Sequence, residues 1–276
     1  EAGFPPEFLA TDSAGRVYAH NGNSSARFGG RIFRYDPANG LAREFVGSVN
    51  YYSVLTQYSH PANPIAMNVG RIRYDGREVE SLFVADVELV GTAGVALEQP
   101  RPVIKQLPLT LLDPGQHYAD PASRNHFVGQ RFVEDSRFKF TGPTDLASFT
   151  QAGITRLYVS DQESIYVVRH DLATGTNEVR EILNMPGRQW SGLALDESPL
   201  PNFYFADATT GFVYYVQFDQ LIQAENVPGS LQQNAIPLVP FVRDGSPLDI
   251  YDIEIAQNGK RIVAASARGL AATFMP

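Results

Sequence analysis

The stretch that decides the fold runs from residue 156 to residue 171 and reads Arg156-Leu-Tyr-Val-Ser-Asp161, Gln-Glu, Ser164-Ile-Tyr-Val-Val-Arg-His-Asp171. Both halves are short apolar runs rich in β-branched and aromatic residues, and each half ends at an aspartate. Runs of this length and composition, bounded by polar turn residues, are typical of β-strands. The same plan of strand, turn and strand recurs on either side, so the sequence predicts an all-β protein.

Each copy of the plan contains about four predicted strands, joined by turn sequences such as Asp36-Pro-Ala-Asn-Gly40. The copies begin, in order, near Phe8, Met67, Asp145, Gly192 and Asp252, and the last copy is truncated. Such units favour a β-propeller of about five four-stranded blades, with six as the alternative, formed by a single domain over residues 1–276. A stretch at about 114–140 does not fit the repeat, and we expect an inserted loop or a degenerate sixth blade there.

The composition excludes several classes of partner and chemistry. The net charge of −8 would repel phosphate backbones and anionic lipids, so we expect neither nucleic acid nor a membrane as a partner. The absence of cysteine excludes disulfides, thiolate metal sites and cysteine nucleophiles. The chain begins at Glu1 instead of Met and its loops are rich in Tyr and Asn, from which we expect a secreted monomer, extracellular or periplasmic.

Several blade motifs resemble those of propellers of the NHL, YWTD and SMP-30 (gluconolactonase-like) type. The motifs that carry this resemblance are Ala14-Gly-Arg-Val-Tyr18, Gly30-Arg-Ile-Phe-Arg-Tyr-Asp-Pro37, Gly142-Pro-Thr-Asp-Leu-Ala147, Ser191-Gly-Leu-Ala-Leu-Asp196 and Phe203-Tyr-Phe-Ala-Asp207. They are specific for a propeller blade and poorly specific for any activity, because a fold does not fix a function. In the SMP-30-like branch, a divalent cation sits at one mouth of the central channel, held by side chains at the starts of the innermost strands.

When the copies of the repeat are aligned with the family's blades, the metal-ligand positions correspond to residues of this chain. The resemblance implies a metal site formed by Glu7, Asn68, Asp145 and Asp252, with the poor ligand Ser191 at the remaining position. Carboxylate and amide oxygens suit a hard cation, so the expected ion is Ca²⁺. Asp145 and Asp252 would then be the catalytic residues of a metal-dependent hydrolase. The alternative is that these side chains cap backbone groups around a wet channel. The family's Glu-Gly-Pro opening is replaced here by Pro6-Glu7-Phe8.

A second set of acidic residues follows the predicted second strands. Asp86, Asp161 and Asp207 each end a motif of an aromatic, an apolar and a small residue, and Asn21 stands at the matching place. Side chains of this type accept hydrogen bonds from N–H groups in the following loop, as in Asx-turns. We therefore predict a structural role for these residues.

Aromatic and histidine residues are the candidate ligand contacts. Trp190 precedes a predicted inner strand and is expected to form the floor of a ligand pocket. Tyr58, His60, His117 and His126 lie in loops or strand ends and are the other predicted ligand contacts. Together they could also form a Tyr/His acid–base set of the kind a polysaccharide lyase uses, or be exposed loop residues.

These observations leave three functions open. The favoured function is a secreted binding module that recognises a carbohydrate, a small molecule or a protein on its loop face. The alternatives are a Ca²⁺-dependent hydrolase of the lactonase type, with its site at the channel mouth, and a polysaccharide lyase. Motifs for serine nucleophiles, phosphate loops and dinucleotide binding are absent from the sequence.

Overall fold

The computed structural model describes residues 6–21, 31–38, 40–46, 65–88, 101–109, 130–133, 140–238, 240–256, 260–266 and 269–274. Most of these residues form short strands, and within each sheet every strand pairs with the next one along the chain. Among the described residues, no helix is long and apolar enough to cross a membrane.

Four sheets have four strands each. The first sheet consists of β1 (Pro6–Thr11), β2 (Val17–Asn21), β3 (Arg31–Asp36) and β4 (Leu41–Val46). The second consists of β5 (Ala66–Tyr74), β6 (Arg77–Glu88), β7 (Arg101–Pro108) and β8 (Gln130–Arg131). The third consists of β9 (Pro143–Gln151), β10 (Ile154–Asp161), β11 (Ser164–Asp171) and β12 (Asn177–Asn184). The fourth consists of β13 (Trp190–Leu195), β14 (Phe203–Asp207), β15 (Phe212–Val216) and β16 (Ile236–Pro237).

The remaining strands form two smaller sheets. A two-stranded hairpin contains β17 (Val242–Arg243) and β18 (Ser246–Pro247). The last sheet contains β19 (Ile250–Ala256), β20 (Arg261–Ser266) and β21 (Gly269–Phe274). Two short helices, α1 (Phe218–Ala224) and α2 (Ser230–Asn234), lie between β15 and β16.

This succession of up-and-down sheets is the blade architecture of a β-propeller and confirms the predicted fold class. The truncated last copy is also confirmed, because the last sheet has three strands in the described part of the chain. The number of blades stays a prediction. The off-repeat stretch ends earlier than expected, since β8 at Gln130–Arg131 pairs with β7 as the fourth strand of the second sheet.

The chain divides into two compact units. Unit 1 comprises Glu1–Thr141, Thr150–Thr155 and His170–Asn177. Unit 2 comprises Gly142–Phe149, Arg156–Arg169 and Glu178–Pro276. The predicted single domain is left as a prediction, and each unit is described by itself.

Unit 1 has an apolar core that includes Tyr18, Ile32 and Leu82. A fully buried ion pair lies beside it, with Lys105 Nζ 2.6 Å from Asp86 Oδ2. Burial of an unpaired charge is costly, and the pairing offsets that cost.

His170 has a structural role in unit 1. Its Nε2 accepts a hydrogen bond from Arg73 N at 2.8 Å, so its Nδ1 carries the proton and donates to Asn177 Oδ1 at 2.6 Å. Burial lowers the pKa of His170, which keeps the ring neutral in this role.

In unit 2, the fourth and last sheets pack face to face. Burial alternates along β19 from Asp252 onward, so that Ile253 and Ile255 are buried and Glu254 is exposed. The two isoleucines join a core with Tyr204 and Val213 of the fourth sheet. The period of two therefore gives β19 one core face and one polar face.

At Gly192 these two sheets lie close together. A Cβ atom at this position would lie 2.8 Å from Ile253 N and 3.0 Å from the carbonyl carbon of Asp252. Because both neighbours are backbone atoms, neither can move aside as a flexible side chain would. Glycine is therefore required where β13 passes β19.

Helices α1 and α2 are fixed to the third sheet by a buried carboxylate. Glu225, directly after α1, accepts hydrogen bonds from Arg156 Nε at 2.9 and 3.1 Å and from Tyr158 Oη at 2.9 Å. Burial, followed by the nearby Glu225 charge, raises the pKa of Tyr158, so the phenol stays protonated and donates. The side chain of Arg180 donates to the Glu225 carbonyl oxygen at 2.7 Å.

We expect Gly192→Ala to lower the free energy of unfolding by about 1–3 kcal/mol, because the added methyl group overlaps backbone. Gly142→Ala is the matched control, since its Cβ would meet only the end of the Gln162 side chain, at 3.0 Å. Both changes restrict the unfolded chain equally. Urea unfolding followed by fluorescence of Trp190, the single tryptophan, measures both. Equal midpoints for the two variants would contradict the close approach.

We expect Glu225→Gln to cost about 3–5 kcal/mol of unfolding free energy, because it leaves the Arg156 charge buried without its counter-ion. Glu178→Gln removes an exposed carboxylate that pairs with Arg180 at 2.6 Å. That control should cost about 1 kcal/mol or less. The same urea titration compares the two variants, and similar losses would show that the Glu225 network does not hold the helices.

Candidate functional site

The candidate site lies in unit 2, where the first strands of three sheets meet. Asp145 belongs to β9, Leu193 to β13 and Asp252 to β19. Asp145 Oδ2 accepts a hydrogen bond from Leu193 N at 2.6 Å, and its Oδ1 accepts one from Leu146 N at 2.7 Å. The carboxyl group of Asp252 lies close enough to that of Asp145 to change its pKa. The structure thus brings together the two residues predicted to be catalytic, and their role stays a prediction.

A β-bulge in β13 makes the bond to Leu193 available. Trp190 pairs with Asp207 and Leu193 pairs with Phe205, so β13 has one residue more than β14 over this interval. A bulge disrupts the regular ladder and leaves an N–H group to be satisfied elsewhere. Here the carboxylate of the neighbouring sheet satisfies it.

The two carboxyl groups affect each other's pKa. Burial raises the pKa of Asp145 well above its ordinary value, and the nearby Asp252 charge raises it further, against the opposing effect of the two peptide N–H groups. Burial also raises the pKa of Asp252, whereas hydrogen bonding from Ile253 N and the contact with Asp145 lower it. Asp145 therefore holds a proton to higher pH than an ordinary aspartate, as expected when two carboxyl groups occupy one site.

The site is open to solvent on the side of the last sheet. Asp145 is half-buried, whereas Asp252 as a whole residue is exposed although its carboxyl group faces Asp145. Glu254 follows on the same face of β19, and burial and the charge of Asp252 raise its pKa. Tyr251 precedes Asp252 and is 51% exposed.

This arrangement offers one donor and one acceptor side by side. With Asp145 protonated and Asp252 ionised, Asp145 supplies an O–H group and Asp252 supplies acceptor oxygens. Two such groups can bind a hydroxyl-bearing ligand, and they can also act as a general acid and a general base. Two carboxyl groups in contact are too close for the two-carboxylate glycosidases, which need at least about 5 Å between the groups.

The strand registers contradict the predicted equivalence of Glu7 and Asn68 with Asp252. In the first sheet Pro6 pairs with Asn21 and Phe8 with His20, so Glu7 is the extra residue of a bulge in β1. In the last sheet Ile250 pairs with Ser266 and Asp252 with Ala265, so the extra residue is Tyr251. Glu7 therefore corresponds to Tyr251, and Phe8 corresponds to Asp252.

Asn68 is displaced in a different way. It pairs with Phe83, which lies three residues before Asp86, the aspartate that ends the motif of the second sheet. Asp252 pairs with Ala265, which lies only one residue before Ser266, the residue at the same place in the last sheet. By this count Ala66, which pairs with Ala85, takes the place of Asp252 in the second sheet. A one-residue shift moves a side chain to the other face of a strand, and phase counting along the sequence cannot detect it.

The predicted Ca²⁺ centre stays a prediction. Ca²⁺ takes six to eight oxygen ligands, and each oxygen of Asp145 accepts one peptide N–H group and keeps a second lone pair. Over the described ranges, no three His, Asp or Glu side chains are placed to hold a metal ion. The side chain of Glu7 lies outside the described residues, and Asn68 belongs to unit 1.

Trp190 was predicted to form the floor of a ligand pocket, and this is wrong. Its side chain is fully buried and packs edge-on against Phe205 and Tyr214, with ring centroids 5.2 and 5.7 Å away. The indole N–H donates to Glu163 O at 3.0 Å. A ring enclosed on all sides belongs to the core and has no face for a ligand.

The aspartates after the second strands have the predicted structural role, with differences in their partners. Asp207 caps the following turn as expected, accepting from Thr209 N at 2.9 Å and from Thr210 Oγ1 at 2.6 Å. Asp161 accepts instead from Gly142 N, which precedes β9. Asp86 lies inside β6 and pairs with a lysine of β7. The side chain of Asn21 is outside the described residues.

The remaining predicted contacts, Tyr58, His60, His117 and His126, fall outside the described residues. Tyr251 and the N–H group of Leu193 were not among the predicted site residues. The sequence signal for Tyr251 is its position next to Asp252, a predicted metal-binding residue. A backbone N–H group that a bulge leaves unpaired has no signal in the sequence.

The comparisons with known proteins support the fold and no activity. No family model matches the sequence, and no curated protein matches it, so the resemblance to the NHL, YWTD and SMP-30 types stays a prediction. Among solved structures, the chain is similar to the extracellular domain of a hybrid two-component system from B. thetaiotaomicron, with 11% identity and a TM-score of 0.50. The match covers 99% of this chain and 28% of that one, so this chain spans little more than a quarter of its length.

Two further structures show weaker likeness. The β-propeller domain of Swd1 from Myceliophteria thermophila is 8% identical, with a TM-score of 0.48 over 98% of this chain and 83% of that one. Virginiamycin B lyase from Staphylococcus aureus is 13% identical, with a TM-score of 0.41 over 98% of this chain and 70% of that one.

The raised pKa of Asp145 predicts that the free energy of unfolding depends on pH. The unfolded chain loses the Asp145 proton near its ordinary pKa of about 4, whereas the folded protein keeps it to higher pH. The free energy of unfolding should therefore fall as pH rises through this window, by up to about 1.4 kcal/mol per pH unit, until the folded-state pKa is passed.

Asp145→Asn isolates this effect, because its amide can donate to Asp252 but cannot titrate. We expect the stability of this variant relative to the unmodified protein to increase as the pH rises above about 4. Urea unfolding at several pH values measures the difference. Curves that stay parallel would show that Asp145 does not hold a proton.

Proposed function

We propose that this β-propeller is a binding module whose ligands are polyhydroxylated molecules such as carbohydrates, recognised at the Asp145–Asp252 pair. The observation that supports this most directly is the position of the two carboxyl groups beside each other, with the Asp252 residue exposed. Neutral sugars present adjacent hydroxyl groups, and each hydroxyl is both a donor and an acceptor. A carboxyl group next to a carboxylate matches that pattern.

Tyr251 supplies the apolar part of such a site. It is an exposed aromatic residue that directly precedes Asp252 and sits at the bulge of β19. Aromatic rings combine apolar faces with a polar edge, which suits the alternation of C–H and O–H groups on a sugar ring. Bulges often occur next to functional sites because they change the direction of a side chain.

Both parts of the site can be tested by substitution. An array of neutral oligosaccharides first identifies a sugar that the unmodified protein binds. We then expect Tyr251→Ala and Asp252→Asn each to weaken binding of that sugar about tenfold or more, as measured by calorimetry. Tyr35→Ala is the matched control, because Tyr35 is an exposed tyrosine of the first sheet. The proposal fails if the array gives no ligand, or if the Tyr35 variant loses as much affinity as the Tyr251 variant.

The same pair supports hydrolysis of a lactone as a second candidate function. Asp252 would take a proton from water as the resulting hydroxide adds to the lactone carbonyl carbon. Asp145 would give its proton to the ring oxygen as the C–O bond breaks, and the proton on Asp252 would then return to Asp145. This reaction needs one group that gives a proton and another that takes one. The raised pKa values of Asp145 and Asp252 favour these two roles.

A panel of lactones followed by pH-stat titration tests this candidate. Asp145→Asn should lower kcat about 100-fold or more, because it removes the general acid. No hydrolysis by the unmodified protein would remove the candidate and leave the binding module standing. The polysaccharide lyase, secretion and the monomeric state remain predictions from the sequence.

A further inference from the structure

Two neighbouring residues of β9 hold the bulge of β13 at its two ends. The hydroxyl group of Thr144 donates to Trp190 O at 2.8 Å, at the residue before the bulge. Asp145 Oδ2 accepts from Leu193 N at 2.6 Å, at the residue after the bulge. The two residues between these contacts therefore form a short segment whose ends are both fixed to the third sheet.

A second hydroxyl group orients the first. Ser160 of β10 is fully buried, and its Oγ lies 2.8 Å from Thr144 Oγ1. Since Thr144 uses its one hydroxyl hydrogen for the Trp190 carbonyl group, Ser160 donates in this contact and Thr144 accepts. The alternative acceptors, the carbonyl oxygens of Ser160 and Asp145, are farther away, at 3.4 Å. The two shorter bonds form a chain from β10 through β9 to β13, and hydrogen bonds in such a chain strengthen each other.

The other backbone group of Trp190 is also bonded to the third sheet. Trp190 N donates to Gln162 O, in the turn between β10 and β11, at 2.8 Å. The bulge therefore begins from a peptide unit that is held on both sides, and Leu193 N approaches Asp145 from that fixed point. A binding group must be held within about 0.5 Å of its productive position by supporting contacts of this kind.

From these contacts we infer that Thr144 is a positioning residue of the candidate site. Its hydroxyl group fixes the start of the bulge, and the bulge in turn sets the distance between Leu193 N and the carboxyl group of Asp145. Without that hydroxyl group, the bulge is free to move away from β9, and Asp145 loses one of its two peptide donors. The consequence for ligand binding rests on the proposed function, in which Asp145 contacts the sugar.

Thr144→Val tests this role, because valine has nearly the same shape as threonine and lacks the hydroxyl group. Thr150→Val is the matched control, since Thr150 Oγ1 and Thr155 Oγ1 form the same kind of contact, at 2.8 Å, between the same two strands. Thr144→Ser restores the hydroxyl group and should rescue the Thr144→Val effect.

The first readout is hydrogen exchange of the Leu193 amide, measured by NMR. Leu157, a fully buried residue of β10, reports changes in overall stability. We expect Thr144→Val to accelerate exchange at Leu193 about tenfold or more beyond any change at Leu157, and Thr150→Val to leave it unaltered. An unaltered Leu193 amide in the folded Thr144→Val protein would overturn the inference, and so would equal acceleration in both valine variants.

Ser160→Ala is the second variant if Thr144→Val does not fold. It removes the donor that orients the Thr144 hydroxyl group and leaves that hydroxyl group in place. We expect exchange of the Leu193 amide to accelerate about threefold or more beyond any change at Leu157. No acceleration in this variant would overturn the inference.

The second readout is binding of the sugar that the oligosaccharide array identifies. Thr144→Val should weaken binding about tenfold, whereas Thr144→Ser and Thr150→Val should stay within about twofold of the unmodified protein. Unchanged affinity in the Thr144→Val protein would contradict the consequence for ligand binding. If no array sugar binds, the proposed function fails, while exchange of the Leu193 amide still decides the positioning role.

Discussion

The hydrogen bonding of a single carboxyl group, that of Asp145, organises the candidate site. It connects the first strands of three sheets, because it lies on β9, accepts from Leu193 of β13 and lies close to Asp252 of β19. Two acidic groups this close would repel each other if both were ionised. This repulsion and burial together raise the pKa of Asp145.

The protein satisfies buried charge in three different ways. In unit 1, Asp86 is balanced by the ammonium group of Lys105. In unit 2, the carboxylate of Glu225 is balanced by a guanidinium group and a phenol. Asp145 accepts from two peptide N–H groups and lies close to a second carboxyl group. The first two arrangements are buried ion pairs, whereas the third leaves the Asp252 residue exposed.

Bulges at the starts of the first strands determine which residues can serve the site. The bulge in β13 frees the N–H group of Leu193, and the bulge in β19 places Tyr251 beside Asp252 on the solvent side. The absence of a side chain at Gly192 lets these two strands lie close together. The distance between β13 and β19 therefore determines whether Asp145 can contact both Leu193 and Asp252.

Most strands, their grouping into sheets and the shortened last sheet could be predicted from the sequence, because alternation, turn residues and strand length are local properties. The prediction that Asp145 and Asp252 lie close together also came from the sequence. Only the tertiary structure decided that Trp190 is enclosed in the core, that Tyr251 is exposed, and that Glu7 and Asn68 are out of phase with Asp252. The physical reason is that register, bulges and sheet-to-sheet packing depend on partners distant in the sequence, so one extra residue in a strand changes which side chains share a face.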